Sequence, residues 1–322
     1  MARVFQYRTL IKIVRRHSTL FSLTLLFWLL LASHNPAEAQ VIRIDSTSHW
    51  KKSFRFGLNL NQAAFTSNWK AGGVNSLGLN SLLNYKASYK KDKHSWDNEL
   101  DFLYGMVNNQ GQGTRKTMDR IFLDTKYGHS MNAKWDWIIS ANLQSQFGAG
   151  YRYDTDALGV TQQTLISDFF APAFITAALG FEYHPVDYFK LRLSPLAPRV
   201  TIVNDPLRFV TVDNPKPYGV DPTRTTRFEW FAFQMMAEFN KDIAKNINLK
   251  WRYVMFINYQ TLDLNKIDHR LDVNLVAKVN RFVNVTLGGI LLYDYDQDTK
   301  VQLSQAFSLG VLYSFQNYAE KK

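Results

Sequence analysis

Residues Trp135–Phe147 read "WDWIISANLQSQF". Trp135, Trp137, Ile139, Ala141, Leu143 and Phe147 fall on one face, and Asp136, Ser140, Asn142, Gln144 and Gln146 on the other. A period of two is the mark of a β-strand with chemically different sides, because successive side chains of a strand point to opposite faces. The same alternation runs through "LKWRYVMFINYQ" from Leu249 and "WDNELDFLYGM" from Trp96. In the latter, Trp96, Leu100, Phe102, Tyr104 and Met106 oppose Asp97, Glu99 and Asp101.

Extended along the chain, the pattern predicts twelve strands, over 54–66, 75–90, 95–108, 117–131, 134–152, 172–184, 187–203, 227–240, 246–262, 267–280, 283–295 and 300–315. The connections after the even strands are short: "KKDKH", "HSMNAK", "HPVD", "NKDIAKNI" and "VNRFVN". Two of those after odd strands are long, 153–171 and the Pro-rich 204–226. Short turns on one side and long loops on the other characterise outer-membrane barrels, and an even strand count leaves both ends on the short-turn side. A soluble barrel or sandwich would alternate too, but with its apolar face turned inward on shorter strands. Here aromatics gather near both strand ends. Trp96, Trp135, Trp137, Trp251 and Tyr313 stand at the short-turn end, and Phe147, Tyr151, Tyr259 and Tyr293 at the other. Interfacial girdles require that placement. The expected fold is therefore all-β, a transmembrane antiparallel up-and-down β-barrel.

The first 39 residues have a different character. Arg3, Arg8, Lys12, Arg15 and Arg16 precede the apolar run Leu20–Ala32, and Ala37-Glu38-Ala39 forms a small-residue cleavage pattern before Gln40. Thirteen apolar positions are too few for a spanning helix, so 1–39 read as a cleaved signal peptide. Residues 40–53 then form a periplasmic N-terminal segment, 54–315 the barrel and 316–322 a periplasmic tail, with the cell outer membrane as destination. Cleavage removes five basic groups and one acid from a net charge of +11, leaving +7 with the Lys and Arg scattered. Nucleic-acid binding needs a clustered basic patch, and none is expected as a partner. The expected partners are outer-membrane lipid and lipopolysaccharide, the barrel-assembly machinery and a small solute. With no Cys in the chain, disulfides, thiolate metal sites and a Cys nucleophile are excluded.

Near its end the chain reads "SLGVLYSF", Ser308–Phe315. Lipid offers no partner to an open sheet edge, so the last strand must pair with the first. Ser308, Gly310, Tyr313 and Phe315 resemble the C-terminal signature of outer-membrane proteins, which implies recognition by the barrel-assembly machinery. Many such proteins end on the aromatic itself, whereas here seven residues follow it.

The stretches "FTSNWKAGGVNS" from Phe65, "WDNELDFLYG" from Trp96, "RKTMDR" from Arg115 and "YDYD" near Tyr293 resemble a family of Gram-negative outer-membrane β-barrels catalogued only as a domain of unknown function. The resemblance spans most of the chain after the leader. It implies a barrel and brings no activity or catalytic residues.

Candidate functional residues follow from the face that turns inward. Asp97, Glu99 and Asp101, with Arg120, Asp124 and Lys126, Lys86, and Arg252, Asp272 and Lys278, are expected to line the lumen. Stacked like charges repel unless counter-charges or water intervene. The row therefore serves either a polar path for a small hydrophilic solute or a salt-bridged wall that closes the barrel. A first extracellular turn at Trp69, Gly72 and Gly73 is read as a tight hairpin with a girdle Trp. Asp294, Asp296 and Asp298 in "DYDQD" are read as a polar turn rather than a cation site. A lipid hydrolase would need a Ser with a His base and an orienting group. Of the five His outside the leader, His49, His94, His129, His184 and His269, only His269 lies on the loop side. No catalytic residue, metal or cofactor is expected. The leading expectation is a non-enzymatic channel for small hydrophilic solutes. The alternative is a structural or partner-binding barrel with a closed lumen, and more distantly an outer-membrane lipid hydrolase.

Overall fold

The computed structural model describes residues 49–66, 73–155, 159–211, 214–280 and 283–318. The expected leader, Trp69 and Gly72 lie outside them. Among the described residues sixteen strands are formed: β1 Trp50–Ala63, β2 Ser76–Lys91, β3 His94–Asn109, β4 Gly113–Ser130, β5 Trp135–Ser145, β6 Gly150–Thr155, β7 Thr161–Ser167, β8 Ala173–Val186, β9 Phe189–Leu196, β10 Arg199–Ile202, β11 Thr226–Glu229, β12 Ala232–Ala244, β13 Ile247–Asn258, β14 Asp268–Lys278, β15 Val283–Asp294 and β16 Asp298–Gln316. Twelve of them close an antiparallel ring in the order β1, β2, β3, β4, β5, β8, β9, β12, β13, β14, β15, β16 and back to β1. The twelve-stranded transmembrane barrel expected from the alternation is the observed fold. β10 continues the line of β9 beyond Pro198, and β11 leads into β12, so both extend ring positions already counted.

The two sides of the wall differ as a membrane requires. On β5, Ile139 faces out at 50% exposed, while its neighbour Ser140 faces the lumen at 7%. On β1, Phe56, Leu58 and Leu60 are exposed, whereas Ser53 and Asn59 are buried. Apolar outside and polar inside is the reverse of a soluble barrel. Aromatic clusters mark both rims. Trp50, Tyr89 and Trp96 pack together at the short-turn end, as do Trp135 with Tyr183 and Phe239 with Trp251. Phe102, Tyr104 and Phe147 pack at the long-loop end.

Closure brings the two ends of the barrel sequence together. Phe54 stands opposite Phe315, Phe56 opposite Tyr313 and Asn59 opposite Gly310. Asn317 continues the contact, donating from its side chain to the Trp50 carbonyl at 3.2 Å and accepting from the Lys52 N–H at 2.6 Å. Gly310 is required here, because a Cβ would run into the Asn59 side chain and the Leu58 carbonyl. Likewise a Cβ on Gly180 would strike the Leu193 carbonyl, where β8 and β9 pair through an irregular register.

The strand expected over 134–152 stops at Ser145. Its continuation leaves the ring as the hairpin β6–β7, which begins within the end of that expected strand and runs on into the long 153–171 connection. The cause is Asp119 on β4, whose carboxylate accepts the Phe147 N–H at 2.7 Å and the Gly148 N–H at 2.9 Å and so turns the chain away. The Pro-rich connection is not featureless either. It carries two 3-10 turns, Pro206–Phe209 and Pro217–Gly219. Val203, Phe209 and Val220 bury against Ala171, with Leu165 and Tyr218 packed on them. This is a small apolar core shared by the two long connections.

Candidate functional site: a charge network across the lumen

Inward charges on β2, β3, β4, β8, β9, β12, β13 and β14 meet in the middle of the barrel. Glu99 on β3 accepts from Lys86 on β2 at 3.2 Å, from Lys250 on β13 at 2.8 Å and from Arg252 on β13 at 2.6 Å. β3 and β13 are six places apart in a ring of twelve, so the last two contacts span the lumen. Asp101, one pleat further along β3, pairs with Arg120 at 3.2 Å. Arg120 reaches Asp272 on β14 at 2.9 Å, again six places round the ring, and Arg270 completes that end at 2.9 Å from Asp272.

The other half of the network fills the space beside β4, β8, β9 and β12. Arg252 also donates to Glu238 at 2.5 Å, and its guanidinium lies 4.3 Å from the Phe122 ring centre. Arg192 on β9 binds Asp124 at 2.8 Å and Glu182 at 3.1 Å. Lys126, only 1% exposed, sits between Glu182 at 2.7 Å and Asp97 at 3.0 Å. Opposite charges alternate throughout. Each buried ion therefore has a counter-ion, which is what burial of charge demands.

A second tier lies towards the long-loop end. Arg199 on β10 binds Glu229 at 2.8 Å and Asp268 at 2.7 Å, and stacks 3.6 Å from the Phe256 ring centre. Arg227 pairs with Glu229 and with Asp296 of the β15–β16 turn. Gly219 of the Pro-rich connection packs against that last pair, since a Cβ there would meet Arg227 and Asp296. The Tyr218 hydroxyl donates to the Ile166 carbonyl, and burial, with Asp294 nearby, raises its pKa. The Pro-rich connection thus reaches from the β10–β11 side of the mouth both to the β15–β16 turn and to β7.

Of the residues singled out in the sequence, Asp97, Glu99, Asp101, Arg120, Asp124, Lys126, Arg252 and Asp272 all belong to the central network. Lys278 does not: it ends β14 at the short-turn rim and is exposed. The turn residues separate as well. Gly73 has φ +147°, and the Phe65 ring occupies the space beside its Cα. Asp294 caps its own turn, accepting the Asp296 N–H at 3.0 Å and the Gln297 amide at 2.6 Å. Among the described residues no group of three metal-ligating side chains assembles. His269, the His on the loop side, shares a hydrogen bond of 2.7 Å with Tyr253. Glu182, Lys190, Arg192, Glu238, Lys250 and Arg270 were not singled out. Each lies at an inward position of its alternating strand, as in "GFEYH" and "FKLRLS", and that parity was the available signal.

A separate charged contact sits on the outer wall. Lys116 and Asp119 pair at 2.8 Å, and Lys116 also donates to the Gly148 carbonyl at 2.7 Å and to Ser167 at 3.3 Å. A β-bulge at Thr117 of β4, opposite Gly105 and Met106 of β3, shifts the local register. This clasp fixes β6–β7 to β4, and Arg115 stacks 4.1 Å from the Tyr153 ring centre beside it.

Residues 60–151 match the model of a family described as a protein of unknown function (DUF3078). The resemblance read from the sequence is borne out over that segment, which holds the stretches from Phe65, Trp96 and Arg115, while "YDYD" near Tyr293 lies beyond it. The matched segment carries Glu99, Asp101, Arg120 and the Lys116–Asp119 pair with its Phe147 and Gly148 partners. No curated protein shows a significant match. Among solved structures, an outer membrane channel from Pseudomonas putida F1 is similar at 10% identity, with 88% of this chain and 99% of that chain covered and a TM-score of 0.35. The translocator domain of the autotransporter NalP from Neisseria meningitidis aligns at 9% identity over 84% of this chain and 90% of that one, with a TM-score of 0.33. The Pseudomonas putida toluene transporter TodX aligns at 8% identity over 83% and 88%, with a TM-score of 0.26. The strand pairing, not these likenesses, establishes the barrel.

Proposed function

We propose that the protein is a non-enzymatic outer-membrane channel for a small hydrophilic solute, closed in the state described here by the charge network across its lumen. The supporting observation is the content of the lumen. A barrel with a purely structural role is closed as well or better by apolar side chains, since a buried ion pair seldom stabilises more than a packed hydrophobic pair. Instead the centre is filled with ions on flexible Lys and Arg stems. When such pairs separate they hydrate, and the path becomes a charged aqueous one. In this reading residues 1–39 direct export and are removed, 40–53 and 316–322 face the periplasm, and "SLGVLYSF" is the assembly signal. Lipid and lipopolysaccharide surround the wall.

The 2.6 Å contact between Glu99 and Arg252 favours a second reading, in which the lumen stays shut and the long connections bind a partner. Planar-bilayer recording separates the two. For a channel, wild-type protein opens in discrete steps, and replacing Asp97, Glu99 and Asp101 together by Asn or Gln lowers its preference for cations. A silent wild type whose triple variant is only less stable ends the channel reading.

A further inference from the structure

The ring closes at a seam that is paired over only part of its height. Among the described residues, β1 and β16 pair from Ser53 with Gln316 to Asn59 with Gly310, and there the pairing stops. β1 continues to Ala63 and pairs fully with β2, while β16 extends back to Asp298 and pairs with β15. From Leu309 towards Asp298 the β1-facing edge of β16 pairs with no strand among the described residues.

The position of this edge matters. Leu303 stands opposite Leu291, Phe307 opposite Leu287 and Leu309 opposite Val285 on β15, between the Tyr293 and Tyr313 rims. It therefore lies within the apolar band. Leu303 and Phe307 are 70% and 67% exposed, well above Ile139 in the middle of the paired wall. Hydrocarbon does not satisfy an open strand edge, and such an edge persists at membrane depth only where it lines a polar cavity.

The lumen behind the seam has room. Gly288 faces inward opposite Ala306, and a Cβ added to it would meet nothing nearer than the Ala306 carbonyl at 4.0 Å. The charge network leaves this arc to small neutral residues, Ser304, Ala306 and Ser308 on β16. Asn59 and Asn284 flank Gly310 from either side, both buried, each with a side-chain oxygen that lacks a donor. A slot that is apolar outside, neutral and hydrogen-bonding inside, and open between the two suits one chemistry: an amphiphile.

We propose that the unpaired part of the β1–β16 seam is a lateral portal, which takes the neutral or zwitterionic headgroup of a membrane lipid into the lumen while its acyl chains remain in the leaflet. This rests on the barrel lying in a membrane and goes beyond passage along its axis.

The chain lacks cysteine, so a closure device can be added cleanly. Continuing the β1–β16 register would bring Asn61 opposite Ser308. The protein is reconstituted in phosphatidylcholine vesicles doped with phosphatidylcholine carrying a diazirine in its headgroup, irradiated, and mapped by mass spectrometry. Headgroup adducts are expected on Gly288 and on Gln302–Ser308. In the N61C/S308C variant they should fall at least fivefold on oxidation and return on reduction. Adducts confined to the rims, or labelling indifferent to oxidation, overturn the portal; where the disulfide does not form, the wild-type adduct map alone decides. Loss of vesicle insertion and of heat-modifiable mobility would instead count against the barrel reading.

Discussion

Arg252 and Glu99 meet at 2.6 Å from opposite walls of the barrel. Two strands with no backbone pairing between them are thereby tied through side chains. The tie is also the centre of a network in which Lys86 and Lys250 share the same carboxylate. Removing that carboxylate leaves three cations facing one another with Asp101 and Glu238 as remaining counter-ions. Glu99→Gln should lower unfolding stability in detergent by about 3–5 kcal/mol, the usual cost of breaking a buried pair from one side. Because Arg252 also pairs with Glu238, adding Arg252→Gln should cost less than its loss alone in the wild type, with a coupling of about 0.5–3 kcal/mol in a double-mutant cycle. Additive losses would show that the two side chains do not interact.

The closed hydrogen-bonded ring should survive detergent until heated. Unboiled protein is expected to run faster than boiled protein on a gel, because the intact barrel is compact and resists unfolding. Identical mobility of the two samples, together with solubility without detergent, would refute a transmembrane barrel.

The Lys116–Asp119 clasp gives a local prediction. Asp119→Asn removes the ion pair and weakens two charge-assisted bonds to the Phe147 and Gly148 N–H groups, each worth about 1.5–3 kcal/mol. The β6–β7 hairpin should then be cleaved several-fold faster by protease in proteoliposomes. Barrel mobility should not change. A hairpin as resistant as wild type would mean that packing alone holds it.

At the closing strand, Gly310→Ala should destabilise by about 1–3 kcal/mol through overpacking against the Asn59 side chain and the Leu58 carbonyl, and Asn59→Gly should relieve only part of it, because the carbonyl stays in place. Phe315→Ala tests a different property of the same strand. If "SLGVLYSF" is the assembly signal, cells should hold less protein in the outer membrane and more degraded in the periplasm. Normal outer-membrane levels would detach the signature from assembly.

The fold was legible because strand parity is a local property. Trp135 to Leu143 declare their two faces without reference to any other strand, and twelve such declarations fix a ring. The same parity placed Glu99 and Arg252 inward. It could not place them in contact, because a distance across the lumen depends on ring order and on how far each side chain reaches. Asp119 shows the opposite limit. It reads as one more residue of an amphipathic strand, yet its two bonds to backbone N–H groups end β5 and create a hairpin that composition does not announce. The seam was invisible for a related reason: each of β1 and β16 alternates well, and only their relative register shows where pairing ends.

Asn317 binds the backbone of Trp50 and Lys52, so the first and last strands are neighbours at one rim as well as in the ring. Geometrically the ring has no privileged starting point. A short linker from Asn317 to Trp50 and a new opening at the Asp92–Lys93 turn would give a circular permutant that begins with β3 and ends with β2. Every ladder contact would be retained, but the final strand would close on "YKK" in place of "YSF". If "SLGVLYSF" is the assembly signal, such a permutant would keep every contact that forms the cylinder and lose the segment by which a cell delivers it.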